Sequence, residues 1–309
     1  MLALVGPTAC GKSALALAAA RALGGEIIVA DPFQRYRGLE IAADSPGAAE
    51  TGAVPHHAVG DLDLTQRSTA ADFAALAPSA SDDPPRRGAL PIAAGGPGLS
   101  RRAAFARLSS PAPPDPEVRA WAEALSLADP AAALAALAAR DPGAAERVDR
   151  DNPRRVARAL EIAADPAPRP PGAGLWGGEV RLPTLVVGLT RPREVLDRRI
   201  AVRVRRELDD GLVAELEAAL DTPGVSREAL QVIEAREGAA VRAGELEAAD
   251  LPERLATRTR RLARKQLTWL RKTPGVVPLD LGDAPAEEAL PRLLTLWREG
   301  VPDPVASGG

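Results

Sequence analysis

The stretch GPTACGKS, residues 6–13, decides the fold of this chain. It fits the pattern G-x-x-x-x-G-K-[ST], whose glycines let the backbone curl so that its N–H groups point at phosphate oxygens. A strand is predicted over residues 2–5 and a helix over residues 13–23, which is the context that such a phosphate-binding loop (P-loop) requires. In it, Lys12 would neutralise phosphate charge and the Ser13 hydroxyl would bind Mg²⁺. The expected phosphate-binding residues are Gly6, Pro7, Thr8, Ala9, Cys10, Gly11, Lys12 and Ser13.

Short apolar segments alternate with helical ones along the rest of the chain. Further strands are predicted over residues 26–30, 90–94, 183–189 and 275–279, and helices over residues 192–220 and 284–299. This alternation indicates a parallel sheet covered on both faces. We therefore expect an α/β fold with a P-loop NTPase-like core.

One region differs from this core in composition and in its predicted secondary structure. Residues 115–164 are rich in Ala and Arg, with a helical pattern interrupted by prolines. We predict that residues 1–112 form the first part of the core, residues 113–180 a helical insertion domain, and residues 181–309 the second part of the core with basic C-terminal helices.

Composition narrows the classes of protein that this chain can represent. The 309 residues are 46% hydrophobic and carry a formal net charge of −3, so nucleic-acid binding would depend on local basic patches. A single cysteine excludes an internal disulfide framework. Neither a signal peptide nor a membrane-length apolar run is recognisable, so we expect a cytoplasmic protein without membrane contact. We also expect a monomer.

Asp31 is the first candidate for chemistry outside the loop. It follows the second predicted strand, at the sheet edge where α/β proteins bind ligands. A carboxylate there could be a general base, a metal ligand, or a helix cap or turn residue, and Gln34 is close enough in sequence to reach the same site. His56 and His57 are better explained by a structural role, because adjacent residues in an extended segment point to opposite faces.

Local basic segments are the second candidate feature. Residues 254–272 carry eight basic side chains and no acidic one, and Arg254, Arg258, Arg261 and Lys265 share one helix face. A second cluster lies in the predicted insertion, at Arg147, Arg150, Arg154, Arg155 and Arg158. Such patches favour contacts with a nucleic-acid backbone, whereas a solvated face with salt bridges is the alternative. From these features alone, an ATP-binding P-loop kinase or NTPase is the default interpretation.

Longer segments resemble the tRNA dimethylallyltransferase family. The similar segments, in the family's order, are GPTACGKS, DPFQRYRGLEI at 31–41, VPHH at 54–57, TAADF at 69–73, LPIAAGGPGL at 90–99, DPEVR at 115–119, NPRRVARALE at 152–161, GLTRPREVLDRRIAVRV at 188–204 and TRRLARKQLTWLR at 259–271. Together they extend over nearly the whole chain.

The resemblance implies transfer of a dimethylallyl group from dimethylallyl diphosphate to N6 of the tRNA adenosine just 3′ of the anticodon. It implies that the loop with Lys12 holds the diphosphate, that Mg²⁺ on Ser13 assists, and that Asp31 takes the N6 proton. The positions that it implies for tRNA contact are Asp31, Pro32, Phe33, Gln34, Pro97, Arg119, Arg154, Arg155, Arg158, Arg261 and Lys265.

Several positions depart from the family's pattern. Pro97 stands where the family has a threonine that would contact the leaving oxygen, and Ala43 and Ser45 stand where it has a threonine and a lysine. The family's Gly-Tyr element is absent from residues 229–236. Losing one such hydrogen bond raises a barrier by roughly 2.7–4 kcal/mol. Two alternatives therefore stay open: a non-catalytic tRNA-binding relative, and a small-molecule P-loop transferase or kinase.

Overall fold

The computed structural model describes residues 1–68, 72, 81–96, 115–164 and 182–300. Pro97 and the segments 69–71, 73 and 166–178, which contain parts of the predicted motifs and a Pro/Gly-rich loop, lie outside the described residues.

Six parallel strands form one sheet in the order β3-β2-β4-β1-β5-β6. They are β1 (Leu2–Val5), β2 (Gly25–Ala30), β3 (His56–His57), β4 (Leu90–Gly95), β5 (Leu185–Thr190) and β6 (Val276–Asp280). The central strand β1 pairs with β4 and β5, so the segment after it emerges in the middle of the sheet. The predicted α/β fold is confirmed.

Helices account for most of the other described residues. They include Lys12–Leu23, Ala48–Ala53, Pro116–Ala128, Pro130–Arg140, Pro142–Arg147, Pro153–Ala164, Arg193–Asp209, Leu212–Asp221, Ile233–Arg242, Leu251–Arg271 and Leu290–Glu299, with 3-10 turns at Ala229–Gln231, Ala248–Asp250 and Ala286–Ala289. Residues 81–86 are helical as well. We call Lys12–Leu23 the P-loop helix, Arg193–Asp209 the arginine helix and Leu251–Arg271 the basic helix.

Two elements differ from the prediction. The single helix expected over residues 192–220 is wrong, because the chain breaks at Gly211, whose φ of 100° favours glycine and starts a new helix. The two-residue strand β3 was not predicted, because its pairing with β2 rather than its own length defines it.

The sheet is held by small aliphatic side chains rather than by aromatic ones. Leu2 and Leu4 of β1, Leu15 of the P-loop helix and Ile92 of β4 are fully buried in one cluster. Gly95 is required at the end of β4, since a Cβ there would lie 2.4 Å from the Ala30 carbonyl oxygen. Burial of aliphatic surface at roughly 25 cal/mol per Å² stabilises this core, which fixes the strand ends that carry the site.

The chain divides into two compact units. One consists of Met1–Leu108 with Glu179–Gly309 and contains the sheet, and the other is Ser109–Gly178. In the second unit, described helices pack around Ala122, Leu137, Val156 and Leu160. Among the described residues, no helix has both the length and the apolar character needed to cross a membrane.

Candidate active site

Four strand ends bring the candidate site together at one edge of the sheet. Because all strands are parallel, the residues that follow them lie on the same side. The P-loop follows β1, Asp31 follows β2, Gly96 follows β4 and Arg191 follows β5. Two of these, the P-loop and Asp31, were predicted site features.

The backbone of the P-loop is arranged to bind an anion. Gly11 has a φ of 101°, and a Cβ there would lie 2.6 Å from that of Ala286, so glycine is required. The P-loop helix begins at Lys12, and its N-cap residue, Gly11, has no side chain with which to cap it. The first N–H groups of that helix therefore have no intrahelical partner and can donate to phosphate oxygens.

Three arginines donate hydrogen bonds to the P-loop. Arg191 Nε donates to the Cys10 carbonyl and Arg199 Nε to the Ala9 carbonyl, each at 2.8 Å. Arg203 Nη1 donates to Thr8 Oγ1, also at 2.8 Å. These bonds fix the loop and place positive charge around it. Sequence reasoning missed them, although the i, i+4 spacing of Arg199 and Arg203 predicts that they share a helix face.

Lys12 and Gln266 also form hydrogen bonds with the backbone of the P-loop. Lys12 Nζ donates to the Pro7 carbonyl at 2.8 Å, which keeps the ammonium group over the loop. Thr8 N–H donates to Oε1 of Gln266 at 2.7 Å, and Gln266 also lies against Gly96, where an added Cβ would be 2.8 Å from Nε2. The basic helix thus contributes directly to the site through Gln266, which the sequence analysis did not identify.

A cleft of about 1050 Å³ opens at this edge of the sheet. Lys12 and Ser13 line it from the P-loop helix, Asp31 and Gln34 from the segment after β2, and Arg203 from the arginine helix. A phosphate site, a carboxylate and a fixed cation therefore face one cavity, which is large enough for two reactants.

Asp31 combines a turn with a cleft-facing carboxyl group. Its Oδ1 accepts a hydrogen bond from Phe33 N–H at 3.0 Å, as a turn residue would. Burial raises the pKa of Asp31, while that hydrogen bond and the charges of Lys12 and Arg203 act in the opposite direction. A carboxylate with a raised pKa is a stronger base than an exposed one.

The segment between Asp31 and residue 46 is fixed by polar contacts. Gln34 Nε2 donates to the carbonyls of Ala43 and Asp44, at 3.0 and 2.9 Å. Asp44 pairs with Arg203 at 3.3 Å and with Arg206. Ala43 and Ser45, where the sequence departs from the family's pattern, both line the cleft.

The arginines predicted to contact RNA in the second unit are partly engaged with acids. Arg119 and Arg158 both approach the buried carboxylate of Glu161, at 3.6 and 2.7 Å. Arg155 pairs with Asp149 at 3.2 Å. Arg154 lies in the same helix, Pro153–Ala164.

The basic helix presents its cations along a groove of about 580 Å³. Arg254, Arg258, Arg261 and Lys265, expected on one helix face, all line this groove. Two arginines of the basic helix have acidic partners from outside residues 254–272. Arg258 pairs with Glu237 of a neighbouring helix, and Arg260 pairs with Glu253 at 2.8 Å.

The two histidines lie at the edge of the sheet. The ring of His57 is 2.6 Å from Oε2 of Glu26, which Arg87 also contacts at 2.6 Å. The ring of His56 lies 2.8 Å from the Val54 carbonyl. The contact between His57 and Glu26 joins β3 to β2, whereas that of His56 is local.

The residues present fit a magnesium ion held mainly by a substrate. The described residues contain no cluster of three or more His, Cys, Asp or Glu able to hold a metal. The Ser13 hydroxyl is exposed and lines the cleft. Mg²⁺ typically takes one or two protein oxygens, with phosphates and waters as its other ligands, so this set suits an ion that arrives with a diphosphate.

A P-loop at the centre of a parallel sheet, with a carboxylate and arginines facing it, defines an α/β P-loop enzyme. The family described as IPP transferase matches residues 34–273, and the one described as isopentenyl transferase matches residues 1–56. The chain belongs to the IPP transferase family, and it is a transferase.

Individual relatives agree with this assignment. The chain is 42% identical over 305 residues to a tRNA dimethylallyltransferase of Kineococcus radiotolerans, which covers 94% of each chain. It is 41% identical over 281 residues to one of Anaeromyxobacter dehalogenans, covering 90% of this chain and 93% of the relative. A crystal structure of a tRNA isopentenylpyrophosphate transferase from Bacillus halodurans matches with a TM-score of 0.70 and 31% identity, over 96% of each chain.

Proposed function

We propose that this chain transfers a dimethylallyl group from dimethylallyl diphosphate to N6 of the adenosine 3′-adjacent to the anticodon in tRNA. The observation that carries the proposal is that the P-loop and Asp31 line the same cleft. The relatives at about 40% identity, named tRNA dimethylallyltransferases, support this choice of donor and acceptor.

The diphosphate would bind in the P-loop. The free N–H groups of the P-loop helix, Lys12 and Arg203 would bind its oxygens. As the allylic C–O bond breaks, negative charge grows on the departing pyrophosphate, and fixed cations stabilise that charge without reorganising. The contacts of Arg191 and Arg199 with loop carbonyls would hold the loop in position for this role.

The Ser13 hydroxyl would hold a Mg²⁺ ion that arrives with the diphosphate. When bound, it would neutralise charge on the leaving group. The protein's own part is to present that hydroxyl at the first turn of the P-loop helix.

Asp31 would act as the general base. The N6 amine attacks the allylic carbon, a C–N bond forms, pyrophosphate leaves, and a proton passes from N6 to the carboxylate. An exocyclic amine is a weak nucleophile, so a positioned base contributes roughly 10²–10⁴-fold. The Phe33 N–H group donates to Oδ1 of this carboxylate, and Asp31 lines the cleft.

The adenosine must leave its base stack to reach this cleft. Arg261 and Lys265 of the basic helix would bind the RNA backbone, and so would the second unit's Arg119, Arg154, Arg155 and Arg158. Asp31, Pro32, Phe33, Gln34 and Pro97 are the proposed contacts around the target nucleotide. Such phosphate contacts make binding depend steeply on salt.

A direct assay tests the proposal. The protein is incubated with unmodified tRNA, dimethylallyl diphosphate and Mg²⁺, and the digested tRNA is analysed by mass spectrometry for N6-dimethylallyladenosine. We expect this product next to the anticodon. Tight tRNA binding without product would instead identify a non-catalytic relative, an alternative motivated by Pro97, Ala43 and Ser45. Turnover independent of both tRNA and salt would identify a small-molecule transferase.

A further inference from the structure

Three buried polar side chains at the floor of the cleft have no part in the mechanism above. Glu207 of the arginine helix is 2% exposed, Glu234 is 5% exposed and Thr259 of the basic helix is 4% exposed. All three line the cleft. They come from three separate helices, so packing rather than sequence proximity assembles them.

This floor is connected to the P-loop through one arginine. Arg203 Nε donates to Glu207 Oε1 at 2.6 Å, while its Nη1 donates to Thr8 Oγ1 at 2.8 Å. A single arginine side chain therefore bridges Glu207 and the P-loop, where the diphosphate is proposed to bind.

Glu234 can both donate and accept a hydrogen bond at neutral pH. Burial and the nearby Glu207 carboxylate raise the pKa of Glu234 to about 7. The protonated fraction has an O–H donor beside a carbonyl acceptor, and the ionised fraction has two acceptors.

Thr259 provides an independent sign of a missing partner. Its Oγ1 is buried and forms no hydrogen bond with any residue that the structure describes. A helical threonine usually donates to the carbonyl four residues earlier, as Thr268 does to Arg264 at 3.0 Å in the same helix. Because a buried hydroxyl is rarely left unpaired, this one indicates a ligand in the cleft.

The polar character of Glu207, Glu234 and Thr259 determines which part of the two substrates can bind beside them. A diphosphate would be repelled by the carboxylates, and a dimethylallyl group has no hydrogen-bonding atom. The adenine base carries both donors and acceptors along its edge. We infer that Glu234 and Thr259 bind the polar edge of the target base and act as specificity-determining residues, an inference that rests on the proposed function.

Glu234 lies in the segment 229–236, where the sequence departs from the family's pattern. The part of the inference that concerns Glu234 is therefore particular to this chain, whereas Thr259 begins the family-like segment 259–271.

Binding of two RNA probes tests this inference without requiring turnover. Anticodon stem–loops carrying either adenosine or an abasic site at the target position are titrated against the full chain in the absence of dimethylallyl diphosphate. We expect the wild-type protein to prefer the adenosine probe by about tenfold, as buried hydrogen bonds to a base would give. Thr259→Val and Glu234→Leu should reduce that preference to about threefold or less, since each removes one set of bonds.

Conservative variants separate a contact with the base from a structural role. Thr259→Ser and Glu234→Gln keep a donor and an acceptor, so they should retain the preference. Inorganic pyrophosphate binding, measured on every variant, should stay at the wild-type value if the cleft is intact. An undiminished adenosine preference in Thr259→Val and Glu234→Leu, or no preference in the wild type, would overturn the inference. Absence of prenylated product from the wild type would instead refute the proposed function.

Discussion

The arginines of the cleft and those of the groove on the basic helix differ in how they are held. In the cleft, Arg203 has only 17% of its side chain exposed and binds a P-loop hydroxyl and a buried glutamate. On the basic helix, Arg261 is exposed and lines an open groove. A fixed, desolvated cation stabilises charge that develops at one place, whereas exposed cations attract any polyanion and are screened by salt. The two regions therefore suit catalysis and RNA binding respectively.

Removal of Lys12 should produce the largest loss. Lys12→Ala deletes the ammonium group over the loop, so transfer should fall by about 10³-fold or more. Binding of tRNA should stay within about twofold, because the groove is unchanged. Single-turnover kinetics together with a tRNA filter-binding assay would measure both. A tRNA affinity that falls as far as the transfer rate would contradict the division between the two regions.

Substitution of Arg203 should produce the second-largest loss of transfer activity. Arg203→Gln removes a fixed cation beside the P-loop and should lower kcat by about 10²-fold. Arg205→Gln is the matched control, since Arg205 is an exposed arginine on the same helix that does not line the cleft. Steady-state kinetics with varied dimethylallyl diphosphate would measure the effect. Equal losses in both variants would show that helix charge, not position, matters.

The groove should give a smaller effect of a different kind. The double variant Arg261→Gln/Lys265→Gln should weaken tRNA binding several-fold and make the plot of log affinity against log salt less steep by about one to two. Saturating tRNA should restore kcat. Arg271→Gln, an exposed residue of the same helix outside the groove, serves as the control. A changed kcat at saturation would place the groove in the chemical step.

The raised pKa of Asp31 gives the smallest expected effect, on stability. The folded state binds a proton on Asp31 more tightly than the unfolded state, so this group's contribution to stability falls as the pH rises from the unfolded pKa through the folded one. At neutral pH its buried charge is therefore a cost, and Asp31→Asn should slightly raise the melting temperature. The Asn side chain can still accept the Phe33 bond. Thermal unfolding at pH 7 would measure this change. A marked fall in the melting temperature of the variant would indicate that the carboxylate is structurally required.

Local patterns predicted the elements that carry local signals. The strand β1 was predicted with its observed bounds, and the P-loop helix begins one residue before the predicted start. The break at Gly211 was missed because apolar periodicity continues across it, although a glycine after two aspartates is a helix-stop signal.

The cleft itself could be predicted only in part. Lys12 and Asp31 follow strands, and the parallel topology brings such positions to one edge. The contact between Thr8 and Gln266 joins residues 258 positions apart, and Glu207, Glu234 and Thr259 come from three helices. Contacts between residues so far apart in the sequence depend on helix packing, which local sequence patterns do not predict.

The central claim is that Asp31 is the base facing a P-loop-bound diphosphate. Single-turnover prenylation of unmodified tRNA by Asp31→Asn, at saturating dimethylallyl diphosphate and across pH, tests it most directly. We expect the rate of the variant to be lower by roughly 10²–10⁴-fold, with tRNA binding retained. In the wild-type protein, the rate should decline at acidic pH with a midpoint above the ordinary aspartate pKa of about 3.9. Wild-type rates in Asp31→Asn would contradict the account.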